Sequence, residues 1–136
     1  AVNVGGIYHC VNAAMPSFLK THRGSIVTVA SMWGQVGASC EVCYSATKAA
    51  VIGMTKALAK EVGPSGIRVN CIAPGVIDTD MNARLSTDDM AALAGETPLC
   101  RIGTPEEAAE AIFYLASDKA RFITGAVLNV NGGIVI

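Results

Sequence analysis

The sequence predicts an α/β fold built on a small parallel sheet, and three observations carry that expectation. Three apolar, β-branched runs of strand length, Ile26–Ala30, Ile67–Ile72 and Ala126–Val130, lie far apart in the chain. Helical patterns fill the intervals between them, the alternation that brings strands together in parallel. At 136 residues the chain is long enough for one domain with a real hydrophobic core.

In chain order, residues 2–20 read as a helix, because Val4, Ile7, Val11, Ala14 and Phe18 recur at helical spacing. Pro16 removes a backbone donor inside it and is expected to kink it. Thr21-His-Arg-Gly24 connects to the first strand, Ile26–Ala30. Residues 32–42 are rich in Gly and Ser and read as a loop at the substrate mouth. Trp33 and Gln35 are its residues best able to touch substrate, although Trp33 could equally pack against the adjacent helix. A long helix follows from Cys43 to Val62, stopped by Gly63-Pro64. Ala46, Ala49, Ala50, Gly53 and Ala57 give it a small-residue face suited to close packing, on the sheet or on another subunit.

The second strand, Ile67–Ile72, leads into Ala73-Pro-Gly-Val-Ile-Asp-Thr79, where Pro74 and Gly75 fix a turn with exposed backbone groups. Asp78 within that turn is expected to be solvated or to cap a helix. Between residues 79 and 104, Met81, Arg84, Leu85, Met90 and Leu93 alternate with polar residues, which suggests short helices forming a lid. Thr104-Pro-Glu-Glu107 is a helix start: Thr104 caps, Pro105 takes the first turn and Glu107 completes a capping box. Ala108, Ala111, Ile112 and Leu115 form that helix's inward face, and Ser117-Asp118 ends it. The last strand runs into Asn131-Gly132-Gly133.

The chemistry is concentrated around Ser31, Tyr44 and Lys48. Ser31 falls at the carboxyl end of a strand, and ligands of open α/β sheets bind beyond the carboxyl ends of the strands. Tyr44 and Lys48, four residues apart near the start of a helix, share a face. A free phenol has a pKa of about 10, and an ammonium beside a phenol favours its ionised form. A phenol so placed can donate a proton to a ketone oxygen or accept one in reverse. A nearby hydroxyl can hold that oxygen, and the hydride must come from a cofactor.

Composition excludes several classes. Ten basic residues face eleven acidic ones, for a formal charge of -1, with no basic patch for nucleic acid. Only 15% of residues are charged, against roughly 25% in typical domains, and mean hydropathy is positive. No uncharged apolar run reaches the roughly 20 residues that span a bilayer. So apolar a chain is expected to form part of something larger or to oligomerise. His9 and His22 lack partners at ligand spacing, and Cys40-Glu-Val-Cys43 lacks a second pair or a nearby His, so no metal is expected. Five cysteines (Cys10, Cys40, Cys43, Cys71 and Cys100) form an odd set, with no signal peptide apparent, which points to a reducing cytoplasm.

Read jointly, these motifs resemble the short-chain dehydrogenase/reductase superfamily across all 136 residues. The pieces are Asn3-Val-Gly-Gly6, Gly24–Ser31, Tyr44-Ser-Ala-Thr-Lys-Ala-Ala50, Gly66-Ile-Arg-Val-Asn70, Ala73–Thr79 and Asn129-Val-Asn-Gly-Gly133, in the family's order and spacing. The likeness is greatest to the 3-oxoacyl-acyl-carrier-protein reductase group. The Gly37–Val42 segment also resembles a branch of it thought to reduce an aminopentanone modification on elongation factor P. The resemblance implies the C-terminal half of a Rossmann-like doubly wound sheet, as a single partial domain over residues 1–136. The glycine-rich dinucleotide-binding half has no counterpart here, since neither G-x-x-x-G-x-G nor G-x-G-x-x-G occurs.

The resemblance implies NAD(P)H-dependent reduction of a small or acyl-carrier-bound carbonyl, with NADP(H) preferred to NAD(H). Tyr44 would be the general acid, Ser31 would orient the carbonyl, and Lys48 would assist Tyr44 and hold the nicotinamide ribose. Asn3 would join a proton relay, although in an isolated fragment it reads better as a solvated helix-terminal residue. Tyr44, Lys48, Pro74, Gly75, Val76, Ile77 and Thr79 would contact the cofactor, Ile77 and Thr79 lying nearest its carboxamide and phosphates. The family forms dimers or tetramers through the helix from Cys43 and the one before it. Cys100 replaces the family's usual glycine, and Asn131 its more frequent Asp. The other expectation is a catalytically inert fragment that folds by oligomerisation, because the Ile26–Ala30 strand would leave an open sheet edge.

Overall fold

The three runs read as strands do pair, all in parallel. The structure is a computed structural model that describes residues 2–82 and 85–136, with the backbone alone at Met81. Its helices are α1 (Val2–Thr21), α2 (Trp33–Val36), α3 (Val42–Val62), α4 (Thr87–Glu96) and α5 (Pro105–Ala116). Its strands are β1 (Gly24–Val29), β2 (Ile67–Pro74) and β3 (Val127–Val130), in the order β1-β2-β3. Gly24 stands opposite Ile67 and Val29 opposite Ile72, while Cys71 meets Val127 and Pro74 meets Val130. Beyond β1, Ala30 N–H donates to Ile72 O at 2.9 Å and Met32 N–H to Pro74 O at 3.0 Å. These bonds carry the ladder past Ser31 and draw β2 out to Pro74.

β2 is the centre of the molecule, buried without a break from Val69 to Ala73. That sequence contains a buried polar residue, Asn70, whose amide is spent on the chain leading to β3. Its Nδ2 donates to Ile123 O at 2.9 Å and its Oδ1 accepts from Ala126 N–H at 3.1 Å. A buried amide satisfied in this way fixes a loop instead of costing desolvation. Arg68, at the start of β2, donates to the carbonyls of Leu115, Ala116 and Ser117 and closes the C-terminal end of α5.

α3 packs on the sheet through Val51, Thr55, Ala59 and Val62. Ala59 and Val62 join Ile67 and Val69, with Met15, Phe18 and Ile26 beside them, and Val51 joins Ala30 and Cys71. Thr55 and Thr28 share a buried hydroxyl contact of 2.7 Å. The small-residue face of Ala46, Ala49, Ala50, Gly53 and Ala57 is exposed. Of its two possible uses, sheet packing is therefore ruled out. In α1, Val11 is buried with Val4, Ile7, Ala14 and Phe18 half-buried around it, and the helix continues past Pro16 to Thr21. The 32–42 segment is not all loop, since α2 forms inside it. Gly34 allows this, because a Cβ there would lie 2.7 Å from the Lys48 carbonyl carbon.

The 79–104 segment contains a 3-10 turn at Asp80–Asn82 and then α4, whose Ser86 and Asp89 form a capping box. Arg84 and the Met81 side chain lie outside the described residues. The segment leaves and rejoins the fold at one place. Ile77 and Gly103 form a parallel bridge, with Asp78 N–H donating to Gly103 O and Gly103 N–H to Val76 O, each at 2.9 Å. α5 begins as its sequence indicates, with Thr104 and Glu107 in a capping box and Pro105 in the first turn. Arg101 grips Glu107 with both guanidinium nitrogens, at 2.8 and 2.5 Å. At the end of the sheet Asn131 is buried, its Nδ2 donating to Val135 O and its Oδ1 accepting from Gly133 N–H. An aspartate there could not make the first of these bonds.

Candidate active site

Two strand ends and one helix start meet over a cleft of about 350 Å³. Val29, Ala30 and Ser31 enter it from β1, Pro74, Gly75, Ile77 and Thr79 from the end of β2, and Tyr44 and Lys48 from the first turns of α3. Sequence spacing alone brings Tyr44 and Lys48 together, and the Ala30 and Met32 ladder bonds hold Ser31 between the strand ends. Ser31 is buried, and its Oγ accepts from Trp33 N–H at 3.2 Å. Tyr44 and Lys48 are half-buried.

Lys48 is held by two contacts. Its Nζ donates to Val29 O at 3.1 Å and stands 5.6 Å from the centroid of the Tyr44 ring. Burial pushes the ammonium below the usual lysine range, and its interaction with Cys71 partly opposes that. The phenol and the ammonium thus point to the same side of α3. Together with Ser31 they form a half-buried group of two hydroxyls and one cation, the set needed to hold an oxygen and move a proton to it.

The structure separates several other residues singled out by sequence. Asn3 lines a different cavity, of about 610 Å³, between α1 and β1, which Lys48 also borders. Val76 faces a pocket of about 160 Å³ with Thr97, Arg101, Glu107 and Asn131. Trp33 and Gln35 are not among the residues lining the cleft: Trp33 is half-buried on α2, and Gln35 is exposed. Asp78 is exposed, as its turn position suggests.

Sequence reasoning missed Asn82 and the wall formed by Pro105, Ala108, Ala109 and Ile112 of α5. The wall was legible, since Ala108 and Ile112 belong to the inward stripe of α5, but the stripe's period does not say what it faces. Asn82 donates from Nδ2 to Ile77 O at 2.7 Å. The loop offers donors to a ligand: among the described residues the N–H groups of Ile77 and Thr79 make no hydrogen bond, and Thr79 is exposed. Free amides, a hydroxyl and a nearby ammonium suit the carboxamide, ribose and phosphates of a nicotinamide nucleotide.

Comparison with known proteins identifies the family. The family described as enoyl-(acyl carrier protein) reductase matches residues 1–135. The 3-oxoacyl-[acyl-carrier-protein] reductase FabG of Chlamydia muridarum is 47% identical over 132 residues, 97% of this chain and 53% of its own length. FabG of Escherichia coli is 42% identical, and an uncharacterized oxidoreductase YmfI of Bacillus subtilis 44%, each over 97% of this chain and 54% of its own length. Among solved structures, a 3-oxoacyl-[acyl-carrier protein] reductase from Brucella melitensis superposes with a TM-score of 0.90 at 39% identity, over 96% of this chain and 49% of that one. ElxO with NADP bound superposes with a TM-score of 0.91 at 34% identity, over 97% and 54%. The chain spans about half the length of the curated relatives it matches. With a family match that runs nearly end to end and relatives this similar, the chain belongs to the short-chain dehydrogenase/reductase superfamily and is 3-oxoacyl-acyl-carrier-protein reductase-like.

Proposed function

We propose that this chain carries the catalytic and substrate-facing part of an NAD(P)H-dependent carbonyl reductase acting on 3-oxoacyl groups, free or carrier-bound. The observation that carries the reading is the single cleft shared by Ser31, Tyr44, Lys48 and the Pro74–Thr79 loop. Tyr44 is the proposed general acid. The Lys48 ammonium, 5.6 Å from its ring, favours the negative charge that develops as the phenol proton leaves. Ser31 supplies the second hydroxyl to the carbonyl oxygen. Asn3, across Lys48 in the neighbouring cavity, is the proposed relay partner. The Pro74–Thr79 loop and Lys48 would hold a nicotinamide nucleotide, which supplies the hydride when bound.

NADPH is the proposed reductant, with support divided: ElxO is solved with NADP, and a Brucella melitensis 3-oxoacyl-[acyl-carrier protein] reductase with bound NAD. The family description names enoyl reduction while the relatives are named for 3-oxoacyl reduction. Two hydroxyls bordering one cleft suit a ketone oxygen. A cytoplasmic setting and a homo-oligomer formed through the exposed small face of α3 complete the proposal. No helix among the described residues is long and apolar enough to cross a membrane.

A second reading is favoured by two observations. β1 lies at the sheet edge, and the sequence has no glycine-rich phosphate turn, so the chain by itself would be inert and would fold by association. Fluorescence titration with NADPH and NADH decides between the two. Micromolar binding, with oxidation of the nucleotide by a 3-oxoacyl thioester, supports the reductase and rejects the inert reading. Absence of binding to either nucleotide at millimolar concentration rejects activity in this chain alone. Turnover of an enoyl thioester but not a 3-oxoacyl one would overturn the proposed substrate.

A further inference from the structure

We propose that Asn82 is a positioning residue that ties the 79–104 segment to the loop offered to the nicotinamide; the proposal rests on the reductase reading above. Asn82 closes a 3-10 turn and borders the cleft together with Tyr44, Lys48 and Thr79. Three of its groups are engaged at once. Its Nδ2 donates to Ile77 O at 2.7 Å, its backbone N–H donates to Thr79 O at 2.9 Å, and its carbonyl accepts from Leu85 N–H at 3.0 Å. One residue therefore fixes the peptide of Ile77, the turn after Thr79 and the approach to the Ser86 cap of α4.

The side-chain bond has a directional consequence. With Ile77 O engaged by Asn82 and the Asp78 N–H of the same peptide engaged by Gly103 O, the unit joining Ile77 to Asp78 is held on both sides and cannot rotate freely. The opposite root of the segment is secured separately by backbone alone, through Gly103 against Val76 and Asp78. Loss of the Asn82 amide would therefore release the departing end of the segment while leaving the returning end in place. A nucleotide that engages the Ile77 or Thr79 N–H would brace peptides adjoining the two that Asn82 holds, so cofactor binding and the anchor become linked.

Hydrogen exchange on the cofactor-free chain tests the anchor, with Asn82→Ala, Asn82→Asp and Asn82→Gln compared at matched melting temperature. In Asn82→Ala and Asn82→Asp, the amides of Asp80–Asn82, Leu85 and the first turn of α4 should exchange about fivefold faster, the effect of one lost hydrogen bond. Asn82→Gln should recover most of the protection. The aspartate is isosteric but cannot donate, so a role in packing alone would leave it at the wild-type rate, and that result would overturn the proposal. NADPH titration then separates the two readings. Weaker binding in the uncharged Asn82→Ala as well as in Asn82→Asp, restored in Asn82→Gln, supports the linkage, whereas equal micromolar binding in all variants overturns it. No binding in any variant together with altered exchange would reject nucleotide binding by this chain alone and uphold the anchor.

Discussion

Lys48 is where sequence, burial and chemistry meet in one side chain. Its lowered pKa means that the unfolded chain binds its proton more tightly than the folded one. Between the lowered value and the ordinary lysine value the native state gains stability as pH rises, and below that interval the buried charge is a standing cost. Lys48→Met should therefore flatten the chain's melting temperature across the alkaline range, measured by thermal denaturation. Glu107 works in the opposite sense. Arg101, with help from the Thr104 N–H, draws its carboxyl down to about 2, so its contribution is complete above the ordinary glutamate value and disappears as pH falls toward 2. Glu107→Gln should remove the part of the acid-induced melting shift that lies between pH 4.5 and 2. In an active assembly, Tyr44→Phe should lower turnover by roughly 10²- to 10⁴-fold with little change in nucleotide affinity, read by steady-state kinetics and titration. At this scale the sequence shows most where a motif has fixed spacing. Tyr44 and Lys48 were evident because one helical turn separates them. Asn82 was not, because an amide bonding a carbonyl five residues earlier leaves no periodic trace.

Elements were legible in proportion to the strength of their periodicity and caps. α1, α3 and α5 carry apolar stripes, and α5 also declares its start through Thr104, Pro105 and Glu107. α4 offered a similar cue in Ser86 and Asp89, but its face is weakly patterned between polar residues. α2 was hidden because Gly34 and Gly37 suggest a loop, and only the close approach of α3 explains the first of them. A methyl group at Gly34 would press on the Lys48 carbonyl carbon at 2.7 Å and its oxygen at 2.9 Å. Gly34→Ala should accordingly cost about 1–3 kcal/mol in denaturant unfolding, the usual range for overpacking, and should displace Lys48 from Val29 O. Trp33 shows the limit of reading an element by composition. An aromatic residue in a glycine-rich stretch suggests a ligand contact, yet Trp33 sits half-buried on α2 and is not among the residues lining the cleft.

For the whole molecule, the strand runs were enough to indicate a parallel sheet, while the sheet's order needed coordinates. That order puts β2 in the middle and leaves β1 at an edge, with the exposed Ala46, Ala49, Ala50, Gly53 and Ala57 on α3 forming a second unclaimed surface. If copies associate through that surface, Gly53→Glu should reduce the mass observed by sedimentation, without altering the far-ultraviolet circular dichroism of whatever remains folded. The bridge of Ile77 with Gly103 has a wider meaning. Because the polypeptide departs and comes home at adjacent backbone positions, everything in between is a detour hung from a fixed doorway. Lengthening a detour costs closure entropy only logarithmically. Descendants of such a scaffold could trade one detour for another to suit new molecules, while Ser31, Tyr44 and Lys48 beneath stayed where they are.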